Sequence, residues 1–466
     1  MSFPKHIVHK DSGVKWIGKI PSHWKIDRIK ASIFSSRNGI WGDEPQGDEN
    51  DIACVRVADF DRNKLQVKPQ IPTIRSVTTK ERNGRILHRG DLLLEKSGGG
   101  ELQPVGQVVM YQLDMPAVCS NFVSKVVLKP GMNSGYWNYV HDAAYSVGVN
   151  LGSINQTSGI QNLDQDRYFN ESAPFPPETE QSDIATFLDS ETAKIDALIA
   201  EQEKLRALLA EKRLRTILHA VTCGLNNNIP FKDSGVAWLS EVPVHWEVKK
   251  LRYVANVVRG ASPRPAGDPR FFASDAESGI NCPWVTVAEV TKDEDVLLTQ
   301  VDGYLTPTGV EHSQSFKAGT LVFTNSGATL GVPKILAIDC CANDGILAFR
   351  NLSDKVDIRF LYYFLLTTTE RLRTEMKQGG GQPNLNTGIV KEISLALPPN
   401  DEQLQVVNFL EAVNLKFDSL RAQAERAITL LKERRNALIS AAVTGQIDVR
   451  GTILQAINKS PEALAA

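Results

Sequence analysis

The chain lacks any apolar run near the roughly 18 residues that would cross a bilayer, and its first residues, MSFPKHIVHK, lack the apolar centre of a signal peptide. Both absences predict a cytoplasmic protein with no membrane partner. Cysteine is sparse, six residues in 466, and no two stand at C-x-x-C spacing. That predicts reduced thiols in a reducing compartment rather than a disulfide framework, a redox pair or a zinc site. Charge of one sign is missing too: 52 Lys+Arg against 54 Asp+Glu leave a net −2, so any contact with a polyanion has to come from local patches. There is no G-x-x-x-x-G-K-[ST], no G-x-G-x-x-G after a strand and no H-E-x-x-H, which excludes the P-loop, dinucleotide and zincin chemistries. Asp91, Glu95 and Lys96 offer the residue types of a nuclease centre, but Glu95 and Lys96 are adjacent and point to opposite faces of a strand. No catalytic residue, metal ligand or cofactor is assigned.

What the chain does have is a repeat. KDSGVKWIGKIPSHW at residues 10–24 returns as KDSGVAWLSEVPVHW at 232–246, with a constant offset (232 − 10 = 222 and 246 − 24 = 222). Each copy precedes a segment of short Val- and Leu-rich runs broken by Gly, Pro, Asn and Asp, such as 52–57, 91–95, 107–111 and 125–128, which read as strands. One helix is predicted at 136–147. At Pro176-Pro177 and again at Pro398-Pro399 the texture changes to a long stretch free of Gly and Pro, the pattern of a helix opened by proline. Ile184, Leu188, Ile195, Leu198, Leu205 and Leu209 mark an a/d seam on the first, and Val406, Leu410, Phe417, Leu420, Leu431 and Leu438 mark one on the second. A helix with a single apolar stripe needs a partner, and the other copy supplies it. The expected fold is α+β: two strand-rich mixed α/β domains, at 1–175 and 226–397, separated by two long antiparallel coiled-coil helices at 176–225 and 398–466. A pseudo-two-fold internal repeat relates the halves. The paired tryptophans belong to the repeated frame, which favours packing over base stacking.

Four stretches inside the dissimilar segments could bind DNA. EKSGGGELQPVGQ presents Lys96, Ser97 and Gln103, and TNSGATLGVPK presents Asn325, Ser326 and Thr329, after an apolar strand in each case. A polyanion-binding turn and a plain hairpin turn both fit. VVRGASPRPAGDPRFF carries Arg259, Ser262, Arg264 and Arg270, either a phosphate- and guanine-reading loop or a solvated basic one. KQGGGQPNLN adds Gln378, Gln382 and Asn384, side chains that pair bidentately with adenine.

With these residues in view, the chain resembles the specificity (HsdS) subunits of type I restriction-modification systems. The resemblance rests on the doubled KDSGVxWxxxxPxHW block, on PPxxEQ at 176–181 and PPNDEQ at 398–403, and on AVT followed by Gly near each helix end, as AVTCG at 220–224 and AVTG at 442–445. It implies a non-catalytic subunit in which each strand-rich domain is a target recognition domain for one half of a bipartite, asymmetric sequence in double-stranded DNA. It implies helices that set the spacing and dock two DNA adenine methyltransferase subunits, with restriction/translocase subunits as further partners. The alternative from another class is a coiled-coil interaction scaffold that binds no DNA.

Overall fold

The computed structural model describes residues 4–157, 159–226, 228–276, 279–327, 329–375 and 385–450. They fall into two compact units, Met1–Glu203 with Arg426–Ala466, and Lys204–Glu425. Two long helices, Glu178–Cys223 and Asn400–Val443, each contribute a section to both units.

The KDSG block builds the same small frame in each unit. In the first, His9–Asp11 pairs antiparallel with Lys19–Pro21, and in the second Phe231–Asp233 pairs with Glu241–Pro243. The turn between them explains the Asp and Ser: Gly13 N donates to Asp11 Oδ1 and Gly235 N to Asp233 Oδ1, both at 2.9 Å, the self-bonding that makes Asp a turn residue. Trp24 and Trp246 are buried. Each indole N–H finds a carboxylate in the first turn of the following helix, Trp24 Nε1 donating to Glu180 Oε2 at 2.8 Å and Trp246 Nε1 to Glu402 Oε2 at 3.1 Å. His23 and His245 join the same carboxylates at 2.6 and 2.8 Å. The Gln of each PPxxEQ turns back on its own prolines, Gln181 Nε2 to Pro176 O at 3.0 Å and Gln403 Nε2 to Pro398 O at 2.8 Å. The repeated residues thus fasten each strand-rich segment to the start of the helix that follows it.

Between the frames, segments of dissimilar sequence share an order of five strands, which the first unit extends by one at the edge. In the first unit the main sheet runs Ile33–Asn38, Val123–Leu128, Leu92–Glu95, Val108–Met110, Gln66–Val67, Phe60–Asp61. In the second it runs Asn256–Arg259, Ile346–Arg350, Leu321–Thr324, Pro333–Leu336, Leu297–Leu298. A second sheet in each unit contains a parallel pair, Ala117–Cys119 on Asp51–Val55 and Cys340–Ala342 on Cys282–Val285. The expected helix at 136–147 appears as Ser134–Ser146, and its counterpart is Ile358–Glu375.

One glycine in each unit shows how closely the two sheets meet. A Cβ on Gly39 would lie 2.2 Å from both Cys119 O and Ser120 O, and one on Gly260 would lie 2.2 Å from Asn343 O and 2.4 Å from Ala342 O. The obstacle is backbone in both cases, so the strand has to move. Gly39→Ala and Gly260→Ala are each expected to cost about 1–3 kcal/mol, read as a lower urea midpoint. A midpoint unchanged in both variants would mean that the close approach is not rigid.

Within each unit the helix sections run in opposite directions. In the first, Ile184, Leu188 and Ile195 share a core with Leu438, Ile439, Ala442 and Val443. In the second, Ile217, Ala220 and Val221 share one with Val406, Val407 and Leu410. Of the residues that spacing assigns to the seam, Ile184, Leu188, Ile195, Val406, Leu410 and Leu438 are buried, and Leu209, Phe417 and Leu431 are half-buried. Leu198, Leu205 and Leu420 are not in it: they are 52, 42 and 46 % exposed. The heptad rule assumes 3.5 residues per turn, whereas a straight helix has 3.6 and drifts about 20° per heptad. The buried positions follow the straight helix, with steps of four at Leu410–Asn414 and Ala424–Ile428. Several seam positions are also polar. Arg213 Nη1 meets Asp418 Oδ1 at 2.9 Å and its Nε meets Asn414 Oδ1 at 3.1 Å, while Arg435 Nε meets Asp196 Oδ1 at 3.1 Å.

Candidate nucleic-acid interface

In each unit the candidate loop leaves the end of a buried central strand and is held there by main chain. After Leu92–Glu95, the residues Ser97–Gly98 pair with Ile160–Leu163, and Leu163 N donates to Lys96 O at 2.8 Å. After Leu321–Thr324, Leu385 N donates to Asn325 O at 2.7 Å. Leu163 and Leu385 differ by 222, the offset of the frame. Leu163 and Leu385 stand near the ends of QTSGIQNLD and KQGGGQPNLN, and the residue after each caps a short helix, Asp164 accepting from Arg167 N and Asn386 from Ile389 N. Gln378, Gln382 and Asn384 lie outside the described residues.

In the first unit the loop brings together a patch of amides and hydroxyls. Ser97 Oγ donates to Asn162 Oδ1 at 2.6 Å. Asn38 Oδ1 accepts from Ser124 Oγ at 2.9 Å and from Gln165 Nε2 at 3.3 Å, and Gln165 Oε1 accepts from Ser36 Oγ at 3.2 Å. Lys96 is half-buried with no side-chain partner among the described residues, and burial lowers its pKa. Gln103 is exposed on a tight turn in which its backbone and that of Gly100 exchange hydrogen bonds. The nearby acids are already paired: Glu95, raised in pKa by burial, with Arg62 at 3.0 Å, and Asp91 with Lys125 at 3.0 Å. Neither is free to hold a metal with Lys96, and no group of three or more metal-ligating side chains forms among the described residues.

The second unit gathers its candidates around a residue that the sequence reading passed over, Asp344. Ser262 Oγ donates to its Oδ1 at 2.6 Å and Arg264 Nη2 to its Oδ2 at 3.2 Å. These contacts, Ser262 foremost, hold its carboxyl below the usual range. Its backbone oxygen accepts from Arg259 Nε at 2.6 Å and from Asn325 Nδ2 at 3.1 Å. Asn325 Oδ1 is buried without a partner among the described residues. Ser326 is half-buried beside it, and Thr329 contributes its backbone oxygen to Thr324 Oγ1 at 2.6 Å. Arg270 stands apart, its guanidinium on Asp268 at 2.7 Å and over the Phe271 ring. The signal for Asp344 was present in the sequence as Asn343-Asp344-Gly345 between two apolar runs, a turn signature.

The comparisons with known proteins agree on one family. Residues 243–429 match the family model of the type I restriction modification DNA specificity domain. The putative type I restriction enzyme MjaX specificity subunit of Methanocaldococcus jannaschii is 22 % identical over 93 % of this chain and 96 % of its own length. The MjaIX specificity subunit of the same organism is 25 % identical over 93 % of this chain and 95 % of its own length. A solved structure described as the basis of complex assembly and conformational transition of the type I R-M system shares the fold, with a TM-score of 0.63 at 16 % identity, over 91 % of this chain and 98 % of that one. The second half of the chain is thus similar to a type I restriction modification DNA specificity domain, and nearly its whole length is similar to type I restriction enzyme specificity subunits.

Proposed function

We propose that this chain reads a bipartite, asymmetric sequence in double-stranded DNA, with residues 1–175 and 226–397 each recognising one half. The observation that supports this most is the pair of loops clasped in the same way by the same frame yet lined with different side chains, amides and a lysine in one and arginines around Asp344 in the other. One scaffold with two chemistries is what two unlike half-sites require. The helices at 176–225 and 398–466 set the spacing and dock two DNA adenine methyltransferase subunits, which bring the catalysis this chain lacks, and restriction/translocase subunits join that complex in the cytoplasm. A net charge of −2 fits a reader that leaves much of the phosphate contact to those partners. A scaffold that binds no DNA gives no reason for unlike loops in a repeated frame.

The host methylome tests the proposal. Deleting the chain is expected to abolish methylation at one split adenine-containing motif. Exchanging residues 25–174 for those of a relative is expected to rewrite one half of it and leave the other half and the gap intact. A methylome unaffected by the deletion, or both halves changed by the exchange, refutes the reading.

A further inference from the structure

In the second unit the strand Asn256–Arg259 ends on a side chain with an unused binding edge. Arg259 pairs across the ladder with Leu347, and Gly260 follows it, pressed against the neighbouring backbone. Arg259 is exposed, yet its Nε is fixed on Asp344 O. The Asp344 carboxylate, taken by Ser262 and Arg264, leaves the two Nη groups of Arg259 without a partner among the described residues. The inner edge of the guanidinium is therefore aimed by a backbone carbonyl, and the outer fork is presented whole. Arg264 and Arg270 differ in this respect, since each commits an Nη to a carboxylate.

In the first unit the same ladder position, opposite Ser124 and just before the equally crowded Gly39, holds Asn38. Its amide oxygen is already taken by Ser124 and Gln165, so no free fork stands there. Two parallel N–H donors match the N7 and O6 acceptors of guanine in the major groove, and no other base offers two acceptors to such a fork. We propose that Arg259 is a specificity-determining residue that reads one guanine in the half-site of residues 226–397. This rests on the reading of that segment as a DNA-recognition domain.

The test uses the full chain with its methyltransferase partners. Methylome mapping with Arg259→Ala and Arg259→Lys is expected to relax one guanine position in that half-site, with selectivity falling on the order of 10- to 100-fold and every other position unchanged. Lysine keeps the charge without the fork, so it does not rescue. In a binding assay, duplexes carrying 7-deazaguanine at each guanine of that half in turn lack the N7 acceptor. One of them is expected to bind the wild-type complex on the order of tenfold more weakly and the Arg259→Ala complex no more weakly than unmodified DNA. Guanine selectivity retained in Arg259→Lys, or a 7-deazaguanine loss equal in wild type and Arg259→Ala, overturns the proposal. So does relaxation in the half-site that follows residues 25–174. If the variants give no methylation at all, the duplex comparison decides. A wild-type chain on which no split motif depends refutes the DNA-recognition reading instead.

Discussion

Replacing Arg435 with alanine is expected to cost the protein about 3–5 kcal/mol, the penalty for breaking a buried ion pair from one side. Arg435 sits on the second long helix, 8 % exposed. Its Nε meets Asp196 Oδ1 at 3.1 Å on the facing helix, its Nη2 donates to Asn63 O, and its Nη1 approaches Asp142 Oδ2 at 4.0 Å. Three elements of the unit therefore meet on one guanidinium. Removing it leaves Asp142 buried with no opposing charge, since that oxygen has no hydrogen-bond partner among the described residues. The cost comes from the abandoned acids rather than from the value of the pairs themselves, and this separates the outcomes. Arg435→Met combined with Asp142→Asn and Asp196→Asn is expected to recover most of the loss, because no charge is stranded. Urea denaturation followed by a probe in the first unit reads both. A loss below about 1 kcal/mol for Arg435→Ala would show that water reaches the site and screens it.

The second large effect is on acid stability, and it is hidden in the wild type. His141 and Asp142 are neighbours on the buried face of Ser134–Ser146. Burial lowers the His141 pKa from 6.5 to about 4, although its Nδ1 meets Tyr168 Oη at 2.8 Å. As pH falls through 6.5 the unfolded chain gains a proton that the folded one refuses. The His141 contribution is thus present above 6.5 and is lost on the way down to about 4, about 3 kcal/mol in all. Burial raises the Asp142 pKa from 3.8 to about 6, with Arg435 opposing. The folded chain then keeps a proton that the unfolded one releases, so stability is present below 3.8 and falls by about 3 kcal/mol as pH rises to about 6. The two windows overlap and their slopes cancel. Asp142→Asn is expected to uncover a stability that climbs between pH 4 and 6.5, and His141→Gln one that declines between pH 4 and 6. Urea midpoints across that range check both, and the sign of the slope decides. Matching slopes in the two variants would refute the burial argument.

Much of the frame was legible in the sequence because its interactions are local or doubled. Trp24, Glu180 and Gln181 advertise themselves by recurring as Trp246, Glu402 and Gln403 at the same offset. The long helices follow from proline starts and an apolar stripe, but which residues sit in the seam did not, because Leu198, Leu205 and Leu420 obey a period that the straight helix does not keep. Apolar spacing also could not find Arg435 or Arg213, whose burial depends on acids far away in sequence. The shared strand order of the two segments was invisible for a different reason. A ladder is made by backbone groups that carry no sequence signature, and the connections differ in length: Gly39 and Gly260 are 221 apart, Gly90 and Gly319 are 229 apart, and Leu163 and Leu385 are 222 apart. At the candidate site, the loops were visible as Ser-Gly after an apolar strand. Asp344, Asn38 and Gln165 were not, because they reach it only through folding.

The bonds from Leu163 N to Lys96 O and from Leu385 N to Asn325 O join main chain to main chain and take no account of which side chains stand at those positions. A substitution at Lys96 or Ser326 can therefore change the side chain that the loop presents without removing either of those bonds. On the proposed reading of the loops, that uncoupling separates the residues that set a preference from the bonds that set the fold.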